Sequence, residues 1–137
     1  MRIWLLVILA GLALNMADAA KSAKAYAQDK PRRVALKAGE NVELMTVYWV
    51  LNCRSVMIGI PEVEILDGPK QMALTIKEAM VLPRRQGCAN RVPGGILMAT
   101  ARDVNEPIEG KLTYRLKYKT KDGDRPRAYV YLVSLFP

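Results

Sequence analysis

The sequence predicts an all-β protein, a two-layer sandwich of about seven short strands. Three observations support this class. Several segments alternate apolar and polar side chains with a period of two, turn residues recur at intervals of roughly ten, and no segment has the period of an amphipathic helix. A chain of 137 residues is long enough for one such domain and too short for two.

Residues 1–19 have the composition of a secretory signal. Arg2 supplies the positive start, residues 3–14 form an apolar run, and Ala17-Asp-Ala19 fits a peptidase site. Because an easy membrane span needs about 20 apolar residues, the run predicts a cleaved signal and no stable span after cleavage. A retained anchor and a cleavage after Ala27 remain open as alternatives. The sequence therefore predicts a periplasmic or secreted protein.

The chain after this signal divides into an arm and a domain. Residues 20–32 are small, polar and charged, which predicts a flexible arm. Residues 33–137 then form the folded domain, and a chain of this size can bury one modest core. The formal net charge is +8, and cleavage after Ala19 leaves it unchanged because Arg2 and Asp18 are removed together. The mature protein thus carries the whole positive charge.

Cys53 and Cys88 are the only cysteines. In an exported protein an isolated pair is more often a disulfide than a metal or redox site, so a bond between them is predicted. For the loop that the bond encloses, chain entropy gives a stabilisation of about 4 kcal/mol. The bond would also pin residues 81–93, which lack a strand pattern and form a long loop. Three arginines lie in this loop: Arg84, Arg85 and Arg91.

The first half of the domain contains four predicted strands, at residues 33–38, 42–51, 61–66 and 72–76. The second of them is apolar on both faces, so either it is buried on both sides or a bulge near Thr46 switches its faces. In the third, the outward positions are glutamates. The predicted inward residues of the third and fourth strands are Val63, Ile65, Met72, Leu74 and Ile76.

The second half contains a strand and a terminal hairpin. Pro93-Gly-Gly95 predicts a turn into a strand at residues 96–101, and residues 103–110 connect this strand to the hairpin of residues 110–135. The first hairpin strand alternates strictly, which predicts one buried face. That face consists of Leu112, Tyr114, Leu116 and Tyr118.

Four segments resemble those of a known group: Asn52-Cys-Arg-Ser55, Pro61-Glu-Val-Glu-Ile65, Val92-Pro-Gly94 and Gly110-Lys-Leu-Thr-Tyr114. The group consists of small exported proteins, many from alphaproteobacteria and without an assigned activity, that have an immunoglobulin-like or cadherin-like β-sandwich. Its Gly-x-x-x-Tyr segment opens the penultimate strand, and Gly110 and Tyr114 match it. The aromatic residue usual before that tyrosine is Leu112 here. The resemblance implies an immunoglobulin-like sandwich and no catalytic residues.

The residue types exclude much catalytic chemistry. The sequence has no histidine, which removes Ser-His and Cys-His nucleophilic pairs and histidine metal sites. Glu62 and Glu64 form the only tight carboxylate pair, and at outward strand positions we expect them to be solvated. Asp122-Gly-Asp124 is flanked by Lys121 and Arg125, which favours a hairpin turn over a calcium loop. We therefore expect a protein that is not an enzyme and needs no cofactor.

The outer face of the terminal hairpin is the first candidate binding surface. If Ala128, Val130 and Leu132 point inward, cations and aromatic rings interleave on this face, which suits anionic polymers. The candidate residues are Lys111, Arg115, Lys117, Lys119, Arg127, Tyr129 and Tyr131. The alternative is a solvated face, partly neutralised by the glutamates of a neighbouring strand. The loop arginines are a second candidate, because loops held on a rigid scaffold are common binding elements.

Together these features predict a non-enzymatic binding or envelope-associated module. The expected partner is an anionic envelope component or an acidic protein, and nucleic acid is not expected outside the cytoplasm. The alternative is a structural subunit, or a protein-binding or inhibitor domain, that uses a sheet edge or the disulfide-pinned loop. The fold alone is compatible with all of these roles.

Overall fold

Nine strands make up most of residues 31–137, the part of the chain that the computed structural model describes. They are β1 (Arg32–Lys37), β2 (Asn41–Val47), β3 (Val50–Leu51), β4 (Arg54–Ser55), β5 (Glu62–Asp67), β6 (Met72–Val81), β7 (Val92–Ala101), β8 (Ile108–Thr120) and β9 (Gly123–Phe136). The predicted signal segment and the arm up to residue 30 lie outside the described residues. Arg32, predicted to end the arm, begins β1. No helix within residues 31–137 is long and apolar enough to cross a membrane.

The strands form two main sheets that pack against each other. One sheet has the order β1-β9-β8-β5 and the other the order β2-β7-β6, while β3 and β4 pair as a small separate hairpin. β1 runs parallel to β9, and the other neighbours in these sheets are antiparallel. Side chains from both main sheets form the buried core. The prediction of an all-β fold of packed sheets is therefore confirmed.

The predicted alternation of β8 is also confirmed. Leu112, Tyr114 and Leu116 are fully buried, and Tyr118 is nearly so, whereas the basic residues between them are exposed. Leu97 of β7 is fully buried in the same core. Because full burial of a large apolar side chain contributes about 1.5–3 kcal/mol, β8 is a main source of the stability of the sandwich.

The hairpin turn decides which way each β9 side chain faces. Residues 121 and 122 form the turn, and Thr120 pairs with Gly123. The odd-numbered residues of β9 therefore lie beside the even-numbered residues of β8 and point toward the core side. The predicted orientation of β9 is wrong. Ala128, Val130 and Leu132, predicted inward, lie on the outer side, and Arg127, Tyr129 and Tyr131, predicted outward, lie on the core side.

The tyrosines of the hairpin pack together on the core side. The ring of Tyr114 lies 5.4 Å from that of Tyr129 and 6.0 Å from that of Tyr131, measured between centroids. The hydroxyl of Tyr131 donates a hydrogen bond to the carbonyl oxygen of Leu44 at 3.0 Å. The hydroxyl of Tyr114 donates one to the sulfur of Met45 at 3.2 Å. These contacts join the terminal hairpin to β2 of the other sheet.

A bulge in β2 explains its two apolar faces. The pairing of β2 with β7 shifts between Glu43 and Met45. Leu44 and Val47 are consequently both buried, although they are an odd number of residues apart. Of the two alternatives left open by the sequence, the bulge is therefore correct, but it lies at Leu44 rather than near Thr46.

Pro93-Gly-Gly95 lies inside β7 and not in the predicted turn. A Cβ atom added at Gly94 would lie 2.7 Å from Cγ2 of Val81 and even closer to the carbonyl oxygen of Val47. Only glycine allows β7 to approach β2 and β6 this closely. The two glycines are therefore a packing requirement of a central strand.

β5 is less buried than its sequence pattern predicts. Val63 packs on the core and both glutamates are exposed, as expected. Ile65 lies opposite the buried Tyr114, on the inward side as expected, but it is 37% exposed because β5 is an edge strand of its sheet. The inward positions predicted for β6, which are Met72, Leu74 and Ile76, all contact the core.

Candidate functional site: the disulfide-linked arginine end

The predicted disulfide between Cys53 and Cys88 is present, with the two Cα atoms 5.5 Å apart. Cys53 lies in the two-residue turn between β3 and β4, where Asn52 and Cys53 have φ values of 52° and 58°. Two successive left-handed residues are the mark of a type I′ hairpin turn, which is short and stiff. The disulfide joins this turn to the loop between β6 and β7, and its presence fits an oxidising compartment outside the cytoplasm.

The loop between β6 and β7 is packed down on the sheet. Val81, Val92, Pro83 and Cys88 are buried, although none of them belongs to the main core. Gly94 and Gly95 face opposite sides of the sheet. Val81 lies on the side that Gly94 faces, and the core residues lie on the side that Gly95 faces. A second, smaller apolar cluster thus holds the loop, and the hydroxyl of Tyr48 adds a hydrogen bond to the Gln86 side chain at 3.0 Å.

Five arginines lie at or beside this linked pair of segments, and we call them the arginine end: Arg54, Arg84, Arg85, Arg91 and Arg127. All five are exposed. The segments that carry the first four, residues 44–61 and 79–102, contain no Asp or Glu. Within residues 31–137 none of the five forms a salt bridge. The arginine end is therefore a concentration of positive charge without compensation in the described part of the chain.

Arg127 joins this end through an aromatic contact. Its guanidinium lies 4.8 Å from the ring centroid of Trp49, and that ring lies 5.1 Å from Tyr118. The carbonyl oxygen of Trp49 accepts a hydrogen bond from the Val56 amide at 2.9 Å, which extends the β3–β4 hairpin by a further pair. Arg127, predicted on the outer strand face, thus lies against the hairpin that carries Arg54.

The basic strand face, which we define as Lys111, Arg115, Lys117 and Lys119, is largely neutralised. Arg115 binds Glu64 at 2.6 Å, Lys119 binds Glu62 at 2.8 Å, and Lys117 lies 3.8 Å from Asp124. The register of β5 on β8, with Glu64 opposite Arg115, brings these charges together. The hydrogen bond from Lys119 lowers the pKa of Glu62 below its usual range, and the same bond raises the pKa of Lys119.

The two tyrosines predicted on the strand face lie on the core side instead. Tyr131 is 5% exposed and Tyr129 packs against the core, so neither ring is displayed beside the cations for stacking on a ligand. Asp122 lies in the hairpin turn, and Asp124 is opposite Lys119. Across residues 31–137 no three His, Cys, Asp or Glu side chains are grouped as metal ligands would be.

Arg54 and the Trp49–Arg127 contact were not predicted from the sequence. A sequence signal for Arg54 exists, because both segments around the cysteines lack carboxylates and the predicted disulfide makes them neighbours. Comparison of this chain with known protein families, curated proteins and solved structures finds no match.

Proposed function

We propose that this protein is a non-enzymatic binding module, located in the periplasm or outside the cell, that docks an anionic partner on the arginine end. The observation that carries the proposal is the lack of any carboxylate partner, within residues 31–137, for the five exposed arginines. On the basic strand face, by contrast, three of the four cations have such partners. At the arginine end an incoming anion therefore does not have to displace carboxylates of the described residues from the guanidinium groups.

The rigidity of this end supports the same proposal. The disulfide joins the β3–β4 turn to the loop, and the buried Val81, Val92 and Pro83 hold the loop on the sheet. A site that is already ordered loses little conformational entropy when it binds. Arginine suits such a site because its planar guanidinium donates paired hydrogen bonds to carboxylate, phosphate or sulfate groups.

The strand order supports an immunoglobulin-like sandwich, which is the fold that the resemblance to small exported bacterial proteins implies. A four-stranded sheet, β1-β9-β8-β5 with β1 parallel to β9, packs on the three-stranded sheet β2-β7-β6. In such sandwiches the loops at one end commonly form the binding surface. The disulfide supports export to the periplasm or beyond.

The alternative role, pairing with another strand at a sheet edge, has weaker support. In the described part of the chain, residues 123–130 of β9 are not paired with β1, so their edge of the sheet is open. The amide of Ala38 binds the carbonyl oxygen of Phe136, so even-numbered residues of β9 direct their backbone groups toward this edge. Pro126 is one of them, and it has no N–H to offer an added strand.

The proposal is tested by two matched charge reversals in the full chain. Arg84→Glu with Arg85→Glu alters the arginine end, and Lys111→Glu with Lys117→Glu alters the strand face by the same charge. We expect the first pair to elute from heparin at much lower salt than the parent, because each lost contact reduces the salt dependence by about one counterion. The second pair should elute near the parent. Equal losses in both would overturn the assignment to the arginine end.

A further inference from the structure

Exposed aliphatic side chains accompany the arginines at this end. Leu51 is 65% exposed and Ile58 is 54% exposed. Leu51 is the cross-strand partner of Arg54 in the β3–β4 hairpin, so the two side chains share one face of it. Ile58 follows this hairpin and is held at the end of β8 by a hydrogen bond from its amide to the carbonyl oxygen of Lys119. A stiff turn therefore presents leucine and arginine together to solvent.

We infer that the arginine end docks on the surface of an anionic phospholipid bilayer, with Leu51 and Ile58 entering the interface and the arginines binding the headgroups. The inference rests on the proposed function and names the partner. A bilayer offers apolar and anionic groups within a few ångströms of each other, which matches a tip that carries both. A soluble polyanion would leave Leu51 and Ile58 in water.

The small size of the β3–β4 hairpin, which carries Leu51 and Arg54, also favours a bilayer over an acidic protein. A stable interface between proteins takes about 800 Å² from each partner. The β3–β4 hairpin has two residues in each strand and a two-residue turn, which is a small projection rather than a broad surface. A fluid interface can close around such a projection, and each basic residue held near an anionic membrane contributes about 1 kcal/mol.

Site-specific fluorescence tests the inference in the full chain. The sequence has two tryptophans, and Trp4→Phe leaves Trp49 beside the arginine end. With Trp49→Phe added to this background, Leu51→Trp is the only tryptophan and reports on the β3–β4 hairpin. Leu66→Trp in the same background is the matched control, because Leu66 on β5 is also exposed at 46%. Brominated vesicles that contain equal phosphatidylcholine and phosphatidylglycerol should quench the Leu51→Trp reporter severalfold more strongly than the control. Equal quenching of the two reporters would overturn the inference.

A second pair of variants separates this inference from the function on which it rests. Leu51→Ser with Ile58→Ser should abolish the quenching of Trp49 by the brominated vesicles and leave heparin elution unchanged. Arg84→Glu with Arg85→Glu should weaken both. Unchanged Trp49 quenching in the serine variant would overturn the entry of Leu51 and Ile58 into the interface. Absence of Trp49 quenching in the Trp4→Phe protein, with heparin retention still lost in the glutamate variant, would overturn lipid docking and point to an acidic protein or glycan. Heparin retention kept in the glutamate variant would overturn the proposed function itself.

Discussion

Cys53 and Cys88 lie with their Cα atoms 5.5 Å apart, and the bond between them joins the turn of the β3–β4 hairpin to the loop that precedes β7. Each of the two joined segments carries arginines and no carboxylate. The covalent bond holds these like charges near each other, although they repel. Charge kept together in this way is available to a partner, whereas charge on the strand face is already bound to Glu62 and Glu64.

Removing the disulfide should destabilise the domain. For Cys53→Ser with Cys88→Ser, the loop entropy predicts a loss of about 4 kcal/mol in the free energy of unfolding, measured by urea denaturation. Amide exchange in residues 82–91 should also become faster, because the loop then depends on its small apolar cluster alone. A loss of less than about 1 kcal/mol would show that the packing of Val81, Val92 and Pro83 is sufficient to hold the loop.

Gly94 should not tolerate a methyl group. Gly94→Ala places a Cβ atom 2.7 Å from Cγ2 of Val81 and against the backbone of Val47, which should lower the free energy of unfolding by about 1–3 kcal/mol. Gly110→Ala is the control, since its Cβ would meet only two ring carbons of Pro69, at 3.3 and 3.7 Å. Its effect should lie within about 1 kcal/mol of zero. Equal thermal midpoints for the two variants would contradict the close packing of β7.

Alkaline pH should destabilise the fold through its buried phenols. Burial raises the pKa of Tyr114 and of Tyr118 well above the ordinary value of about 10. Below pH 10 both the folded and the unfolded chain keep these protons, and the stabilisation is complete. Above it the unfolded chain loses them first, so the free energy of unfolding falls by about 1.4 kcal/mol per pH unit for each tyrosine.

Tyr114→Phe isolates one of these two contributions. The slope of stability against pH above about pH 10 should be shallower in the variant by about 1.4 kcal/mol per unit, because the variant lacks this one buried phenol. Urea denaturation at several alkaline pH values measures both slopes. Parallel slopes in variant and parent would mean that the Tyr114 hydroxyl is not protected from ionisation by the core.

Neutralising the glutamates of β5 tests whether the strand face is a binding site. Glu62→Gln with Glu64→Gln releases Lys119 and Arg115, and each exposed ion pair should contribute less than about 1 kcal/mol to stability. Glu43→Gln with Glu106→Gln removes the same charge away from the strand face, since Glu43 lies on β2 of the other sheet and Glu106 lies between β7 and β8. We expect both variants to gain a similar, small increase in heparin retention, from net charge alone. A much larger gain in the β5 variant would assign binding to the strand face.

The sequence was sufficient where a pattern has one solution. Strict alternation placed Leu112, Tyr114, Leu116 and Tyr118 on one face of β8, because cations fill every second position. Two cysteines leave one possible pairing within the chain, and that bond is present.

The sequence was insufficient where two solutions are nearly equal. Both faces of β9 are apolar, with Val130 and Leu132 on one and Tyr131 and Val133 on the other, and the length of the turn before it selects between them. The predicted binding surface on the terminal hairpin depended on which face of β9 points to the core. Once Tyr131 faces the core and Glu64 lies opposite Arg115, the predicted surface loses its aromatic rings and part of its charge.

Mapping of backbone amide chemical shifts by NMR tests most directly the central claim that the arginine end is the binding site. Nitrogen-labelled full-length protein is titrated with a short heparin oligosaccharide, and the shift of each amide is followed to saturation. We expect the largest changes in residues 51–56 and 82–92, on the two sides of the disulfide. Largest changes in residues 111–119 of β8, with the loop unmoved, would contradict this claim.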